Sequence, residues 1–350
     1  MRPHRPLVHL LGVLPAVAGA LLVVLLGAPA AQAADNGTWA VFPTPAPGQK
    51  TTSRAYFFHQ GAAGTTLADS VTITNATDAP ITFRVYATDA MNTPSGGAFA
   101  LLPVETRPKE TGTWIRLPER TADRPVTVPA KGRLDIPFTV RIPEDANPGD
   151  HVGGIVALNT KVEGIKKDGK VQVGVRRSVG ARFYLRVPGP LTPALSVEHL
   201  RVDRRAPLLP WTKDARAVVS YSLVNRGNVV LDPRIALRAE GLFGRTVLDR
   251  RPKDLGLVLL PGQRVDLTET WADAPQLDWV TLTAKATAAG QPGLAESAEA
   301  GFLAVPWPAV GGVLVLTGAG LAAWAVRRRR NRGDEPAEEA PDTPDLEPVA

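Results

Sequence analysis

The sequence predicts an all-β protein: two tandem Ig-like β-sandwiches behind an N-terminal signal peptide, carried on a single C-terminal transmembrane helix. Three observations predict it. Residues 126–156 alternate apolar and polar side chains between Pro- and Gly-rich turns, and a period of two marks a half-buried strand. Two phrases of the first half return, in the same order, in the second half. Apolar segments at both ends carry basic residues on the flank that a membrane protein needs.

The stretch 126–156 reads as strand, turn, strand, corner, strand. Val126 and Val128 alternate up to a turn at Pro129-Ala130-Lys131-Gly132. Leu134, Ile136, Phe138, Val140 and Ile142 then alternate without a miss, which leaves Arg133, Asp135, Thr139 and Arg141 for the wet face. Pro143 has no N–H for the ladder and ends the strand. Residues 144–150 form a turn cluster around Pro148-Gly149. Gly153-Gly154 then start an apolar run over 155–158, and paired glycines there point to a bulge or a close backbone approach.

The repeat joins two echoes. Leu260-Pro261-Gly262-Gln263-Arg264-Val265-Asp266-Leu267 echoes the stretch from Val128 to Ile136. Upstream of each lies a strand, an Asn-centred turn and a second strand: a hairpin at 70–87, and its counterpart at 217–236 with Asn225-Arg226-Gly227-Asn228 at the bend. Two such cycles predict a duplicated sandwich.

At 350 residues the chain has room for two domains. It has no cysteine, so no disulfide staples it and each domain needs a core that stands alone. A Cys nucleophile, a thiolate zinc site and an iron–sulfur cluster are excluded outright.

Residues 1–33 read as a signal peptide, with Arg2 and Arg5 before an apolar core and cleavage between Ala33 and Ala34. An uncleaved anchor is the alternative. The first sandwich runs over 34–190. In it, 39–48 is a Pro-rich first strand or an arm along a sheet edge, 54–59 a short aromatic strand, 89–124 a long excursion, 160–170 a polar hairpin tip, and 177–187 the closing strand. Pro188-Gly189-Pro190 marks the boundary. The second sandwich runs over 191–305, with 297–305 as its last strand.

The span is placed at 306–326. Ala309 to Val326 carries no charge over eighteen residues, the short end of what crosses a bilayer, and Trp307 suits its interface. Arg327, Arg328, Arg329, Arg330 and Arg332 follow as a stop-transfer cluster, which puts the C-terminus in the cytoplasm and both sandwiches outside. Residues 333–350 hold seven acidic residues, no basic ones and four prolines, the composition of a disordered tail. No sortase-type Leu-Pro-x-Thr-Gly precedes the span. Between signal and span, 33 basic and 27 acidic residues leave a net charge of about +6, an attraction to anionic envelope polymer that salt screens within roughly 8 Å. No basic helix or stacking pattern points to nucleic acid.

Catalytic signatures are missing. His59, His151 and His199 are dispersed, without zinc-ligand spacing. Asp145, Asn147 and Asp150 resemble the start of a calcium loop, but the twelfth position is Val156 rather than a bidentate acid. Asp150-His151 and Ser178 come without a nucleophile elbow. The reading is therefore not an enzyme, with no cofactor and no metal. Trp39, Tyr56 and Trp114, with Phe57 and Phe58, are the candidate ligand-binding residues, since aromatic rings stack on sugars; sandwich core is the competing role, and Trp271 and Trp279 face the same choice.

Four segments of the first domain carry a family resemblance: the hairpin VTITNATDAPITFRVYATDA, the Asn92 to Gly96-Gly97 loop, Gly112-Thr113-Trp114-Ile115, and RIPEDANPGDHVGGIVA. With the order signal, domain, domain, anchor, the chain resembles the WxL-interacting protein family of Gram-positive surfaces over about 37–158. The resemblance implies a peptidoglycan-binding first domain and a host-binding second one, and brings no catalytic residues. The expected function is a membrane-anchored extracellular binding protein of the cell envelope, taking peptidoglycan, another surface protein, or both. The alternative is an anchored assembly chaperone that lends a strand, from 39–48 or from 177–187, to secreted β subunits.

Overall fold

A computed structural model describes residues 36–48, 54–162, 165–168, 171–205, 207 and 215–332. The cleavage pair Ala33 and Ala34, with the rest of the signal segment, and the acidic tail lie outside the described residues. The described chain is mostly β, with one long C-terminal helix.

The strands of the first half are β1 (Trp39–Pro43), β2 (Phe57–Gln60), β3 (Thr66–Asn75), β4 (Ile81–Asn92), β5 (Phe99–Leu101), β6 (Ile115–Arg116), β7 (Val126–Val128), β8 (Arg133–Arg141), β9 (Gly149–Asn159), β10 (Ile165–Asp168), β11 (Val171–Gly174) and β12 (Ser178–Val187). One sheet has the order β1-β3-β8-β6; the other has the order β2-β12-β9-β4-β5, with β7 also on β4. β10 and β11 form a separate ribbon. The two sheets close on a core in which Phe57, Phe138 and Phe183 pack ring to ring and Trp39 lies on Phe83. The alternation read from the sequence of β8 is the burial pattern of that strand, with Ile136, Phe138 and Val140 buried and Arg133, Asp135 and Arg141 exposed.

The second half holds β13 (Leu195–Arg205), β14 (Arg216–Asn225), β15 (Pro233–Glu240), β16 (Thr246–Asp254), β17 (Arg264–Ala272), β18 (Asp278–Ala288) and β19 (Gln291–Ala304). Its sheets have the orders β13-β14-β17 and β16-β15-β18-β19 around a second core, where Trp271 is buried against Phe302. Trp279, in contrast, is exposed. β19 begins six residues before the expected 297, because Ala289-Gly290 turns β18 directly into it. The C-terminal helix, Trp307–Arg332, includes an 18-residue window of mean hydropathy 1.9 with no buried residue; it is long and apolar enough to cross a membrane.

Two expectations need correction. The stretch 70–87 is not a hairpin: β3 and β4 lie in different sheets, and so do β14 and β15. Each turn is a corner between layers, and a buried asparagine builds it. The Asn75 amide donates to the carbonyls of Ala79, Val128 and Pro129 at 2.8, 3.2 and 3.0 Å, and its Oδ1 accepts the Thr77 N–H at 2.9 Å. The Asn225 amide donates to Val229 and Leu259 at 2.7 and 3.0 Å, and its Oδ1 accepts the Gly227 N–H at 3.0 Å. The second correction concerns Gly153-Gly154. They lie in the middle of β9, whose ladders to β12 and β4 run through them without a register shift. Close approach is the reason for both: a Cβ would meet the Thr88 carbonyl oxygen at 2.6 Å from Gly153, and the Ala181 carbonyl oxygen at the same distance from Gly154.

Past the Pro188-Gly189-Pro190 link the two halves meet directly. Asn92, at the end of β4, is buried; its amide donates to Gly97 O at 2.9 Å and Val258 O at 2.7 Å, and its Oδ1 accepts the Leu260 N–H at 2.9 Å. Asp266 N–H donates to Pro94 O at 2.7 Å, and Asp150 N–H to Asn228 O at 2.7 Å.

Replacing Asn75 or Asn225 by Ala strands buried carbonyls, at about 1–3 kcal/mol each. Each substitution should lower the urea midpoint of its own half of the full chain and leave the other half's transition in place. Asn92→Ala should speed hydrogen exchange at the Leu260 amide about tenfold or more, while the Asn225 amide keeps its rate.

Candidate functional site

Trp39 is 1% exposed and packs on Phe83, and Trp114 is 9% exposed beneath the His151 ring at 4.6 Å. Neither presents a face to a ligand; burying a tryptophan removes on the order of 200 Å² from water, about 5 kcal/mol toward folding. Tyr56 lies elsewhere, on the outer side of the β2-β12-β9-β4 sheet. The odd and even positions of 56–59 divide the work. Phe57 goes into the core, and Tyr56 and Phe58 face out, Phe58 being 67% exposed.

They meet Tyr184 of β12 and Phe99 of β5. Phe58 stacks on Tyr184 at 5.0 Å with the rings 9° from parallel, Tyr56 meets Tyr184 edge-on at 6.1 Å, and Phe99 lies 6.4 Å from Tyr184. The Arg182 guanidinium sits over Phe99 at 4.3 Å and over Tyr56 at 5.0 Å. Burial pushes the Tyr184 hydroxyl above its usual range. The Tyr56, Phe58 and Tyr184 rings floor a groove of about 670 Å³ whose far wall comes from the second half, Val230, Asp232 and Val258. A second groove of about 580 Å³, over Phe99, Leu101, Val156 and Gly180, shares Arg182 with the first.

A charged clamp fixes β2 in this position. Asp69, on β3 of the opposite sheet, accepts two bonds from Arg54, at 2.7 and 3.1 Å, and one contact from His59 Nε2 at 2.8 Å. Burial alone would raise the Asp69 carboxyl; the hydrogen bonds from His59, Arg54 and the Ser70 N–H outweigh it and hold the group well below the ordinary carboxylate range. The wall is fixed by Asp150, which takes Arg186 at 2.6 and 2.8 Å and the Val230 N–H at 2.8 Å. That use of Asp150 also accounts for one member of the calcium-like run. Among the described residues no group of three or more His, Cys, Asp or Glu converges on a metal-sized site.

The histidines serve three separate structures: His59 the clamp, His151 the Trp114 ring, and His199 the bulge between Glu198 and Arg201, where its φ is +53°. Sequence reasoning named Tyr56 and Phe58 but missed Phe99, Arg182 and Tyr184. Alternation along Arg182-Phe183-Tyr184-Leu185 was the available signal, since a buried Phe183 forces Arg182 and Tyr184 outward. Arg327, Arg328, Arg329 and Arg330 lie at the exposed end of the C-terminal helix, with Arg328 over the Trp324 ring at 5.2 Å; Arg332 closes the helix.

No protein-family model matches the sequence, and no characterised protein matches it by sequence. Among solved structures, the chain is similar to a chaperone–tip adhesin complex of CFA/I fimbriae, at 11% identity, covering 75% of this chain and 98% of that one, with a TM-score of 0.34. The CupB2 chaperone of Pseudomonas aeruginosa matches at 8% identity over 71% and 97%, with a TM-score of 0.27. The Escherichia coli chaperone DraB matches at 11% identity over 70% and 94%, with a TM-score of 0.28. With every score below 0.5, function has to be read from the site's own residues.

A carboxyl depressed in the folded state stabilises it above the ordinary carboxylate value of about 4 and ceases to do so as pH falls toward the native value. Asp69→Asn should therefore lower the melting temperature of the first half near neutrality, with the gap to the parent closing as pH drops below about 4. A gap that stays constant on acidification would show that the clamp does not depend on the charge.

Proposed function

We propose that the chain is a non-enzymatic, membrane-anchored binding protein of the cell envelope that holds an extended segment of a secreted surface protein against β12, as an anchored assembly chaperone does. The helix Trp307–Arg332 is the anchor, and the arginines from Arg327 onward keep its end in the cytoplasm, with both β halves outside.

The observation that carries the reading is the half-covered strand. β12 pairs with β9 along its whole length, but β2 covers only Phe183 to Arg186. Among the described residues no strand pairs with Ser178 to Arg182 on that side. An extended peptide can add there as the next strand, with main-chain bonds for affinity and pockets for alternate side chains. The composition of this edge fits the role. The outer strand β16 is guarded by exposed Arg251 and Lys253, the usual defence against pairing, whereas Ser178-Val179-Gly180-Ala181 carries no charge. Arg182 and the rings of Tyr56, Phe99 and Tyr184 supply the adjoining contact surface. β1, the other proposed lender, already pairs with β3 through all five of its residues.

A second reading, peptidoglycan, rests on the exposed Phe58 ring lying parallel to Tyr184, a platform that also suits a sugar face.

A photo-crosslinking residue placed at Phe58 in living cells separates the two. Strand addition expects adducts that a protease degrades and a muramidase leaves intact, with slowed amide exchange at Gly180 and Arg182 in the complex. Adducts cleared by the muramidase alone, with those amides unchanged, would transfer the site to glycan.

A further inference from the structure

The end of the second half from which the helix emerges is apolar in a way that folding does not require. Among the described residues between Leu195 and Ala304, five large apolar side chains are exposed: Leu242, Phe243, Leu277, Trp279 and Leu303. The ladders put all five at one end. Trp279 is the register partner of Leu303, and Asp278 that of Ala304, where β19 runs out. Glu240 pairs with Thr281 and with Thr246, so the turn carrying Leu242 and Phe243 projects beyond the same end. Leu277 lies on the loop that enters β18 there. Val305 and Pro306 then lead into Trp307, also exposed, at the start of the helix. An exposed apolar patch of this kind marks a contact surface.

Phe243 gives the patch direction. Its side chain is fully exposed, and its backbone is left-handed, with φ +60° and ψ +25°. That conformation is unfavourable for a bulky residue and persists only where the surroundings impose it. Here they do: the Leu242 N–H donates to Asp278 Oδ1 at 2.8 Å, Arg245 donates to Asp278 Oδ2 at 2.7 Å, and the Gly241 N–H closes the turn on Arg245 O at 2.8 Å. Hydrogen bonds from the Leu242 N–H and Arg245 hold the Asp278 carboxyl below its usual range despite burial, so the tether is a charged one. A buried acid thus holds out a phenylalanine that touches nothing in the fold.

We infer that this end of the second half is a lipid-contacting collar: Phe243, Leu242, Trp279 and Leu303 sink into the headgroup–acyl boundary beside the point where the helix enters the bilayer. The occupant is lipid because the patch is continuous with the apolar helix, and Trp and Phe are the side chains that settle at that boundary. The inference rests on reading the helix as a membrane span, and the experiment keeps the two apart.

The absence of native cysteine makes site-directed labelling clean. Full-length Phe243→Cys, Leu303→Cys, Leu316→Cys and Asp78→Cys chains would be spin-labelled in vesicles of phosphatidylcholine with a minority of phosphatidylglycerol. Collisions with oxygen and with an aqueous nickel chelate report depth. Leu316 lies within the helix, and Asp78 lies exposed on the corner between β3 and β4 of the first half. The collar expects labels at 243 and 303 to favour oxygen several-fold over the label at 78, approaching the label at 316. A lipid signal at 316 with water-like values at 243 and 303 overturns the collar alone. Water-like values at 316 as well overturn the span and the collar together.

Discussion

Three buried asparagine amides hold the architecture together. Asn75 and Asn225 sit where the chain leaves one sheet for the other, and each ties the corner to the loop that begins the next strand of its own layer. The main chain joins in: the Asn75 N–H reaches Gly132 O at 2.9 Å and the Asn225 N–H reaches Gln263 O at 3.0 Å. Three residues before each asparagine a hydroxyl meets an acid across the ladder, Thr72 with Asp135 at 2.7 Å and Ser222 with Asp266 at 2.6 Å. Asn92 uses the same chemistry between the halves. A neutral hydrogen bond contributes only about 1 kcal/mol net, but a buried carbonyl left without one costs more than that. In a chain without disulfides, such corners define the geometry that the apolar cores then fill.

These bonds explain the two echoes in the sequence. The Asn-centred turn and the Val128-Pro129 or Leu260-Pro261 phrase recur together because each is the other's hydrogen-bond partner. What repeats is a contact rather than a pair of independent motifs, so both members have to reappear in order.

Alternation made the strands legible, since burial on one face imposes a period of two along β8 and β12 whatever they pair with. It cannot tell a hairpin from a corner, because periodicity within a strand is blind to the sheet that strand joins; 70–87 reads as a hairpin and folds as a corner for that reason. Gly153-Gly154 signal close approach, but β9 starts earlier than they suggest, because Gly149 to Val152 belong to the ladder without being continuously apolar. Tyr56, Trp39 and Trp114 carry the same choice between ligand face and core in the sequence, and only the closing of the layers separates the half-buried Tyr56 from the two buried tryptophans. The trough as a whole was not legible. Tyr56, Phe58 and Tyr184 converge from segments far apart in sequence, and its wall at Val230 and Val258 comes from the other half.

Only Val305 and Pro306 separate β19 from the C-terminal helix. A connection that short has no slack. With the helix seated in a bilayer as proposed, the stacked halves behave as a post, and the trough is held at one altitude above the lipid. Anything it captures must be delivered to that level, so this spacing screens partners by reach before any side chain touches them.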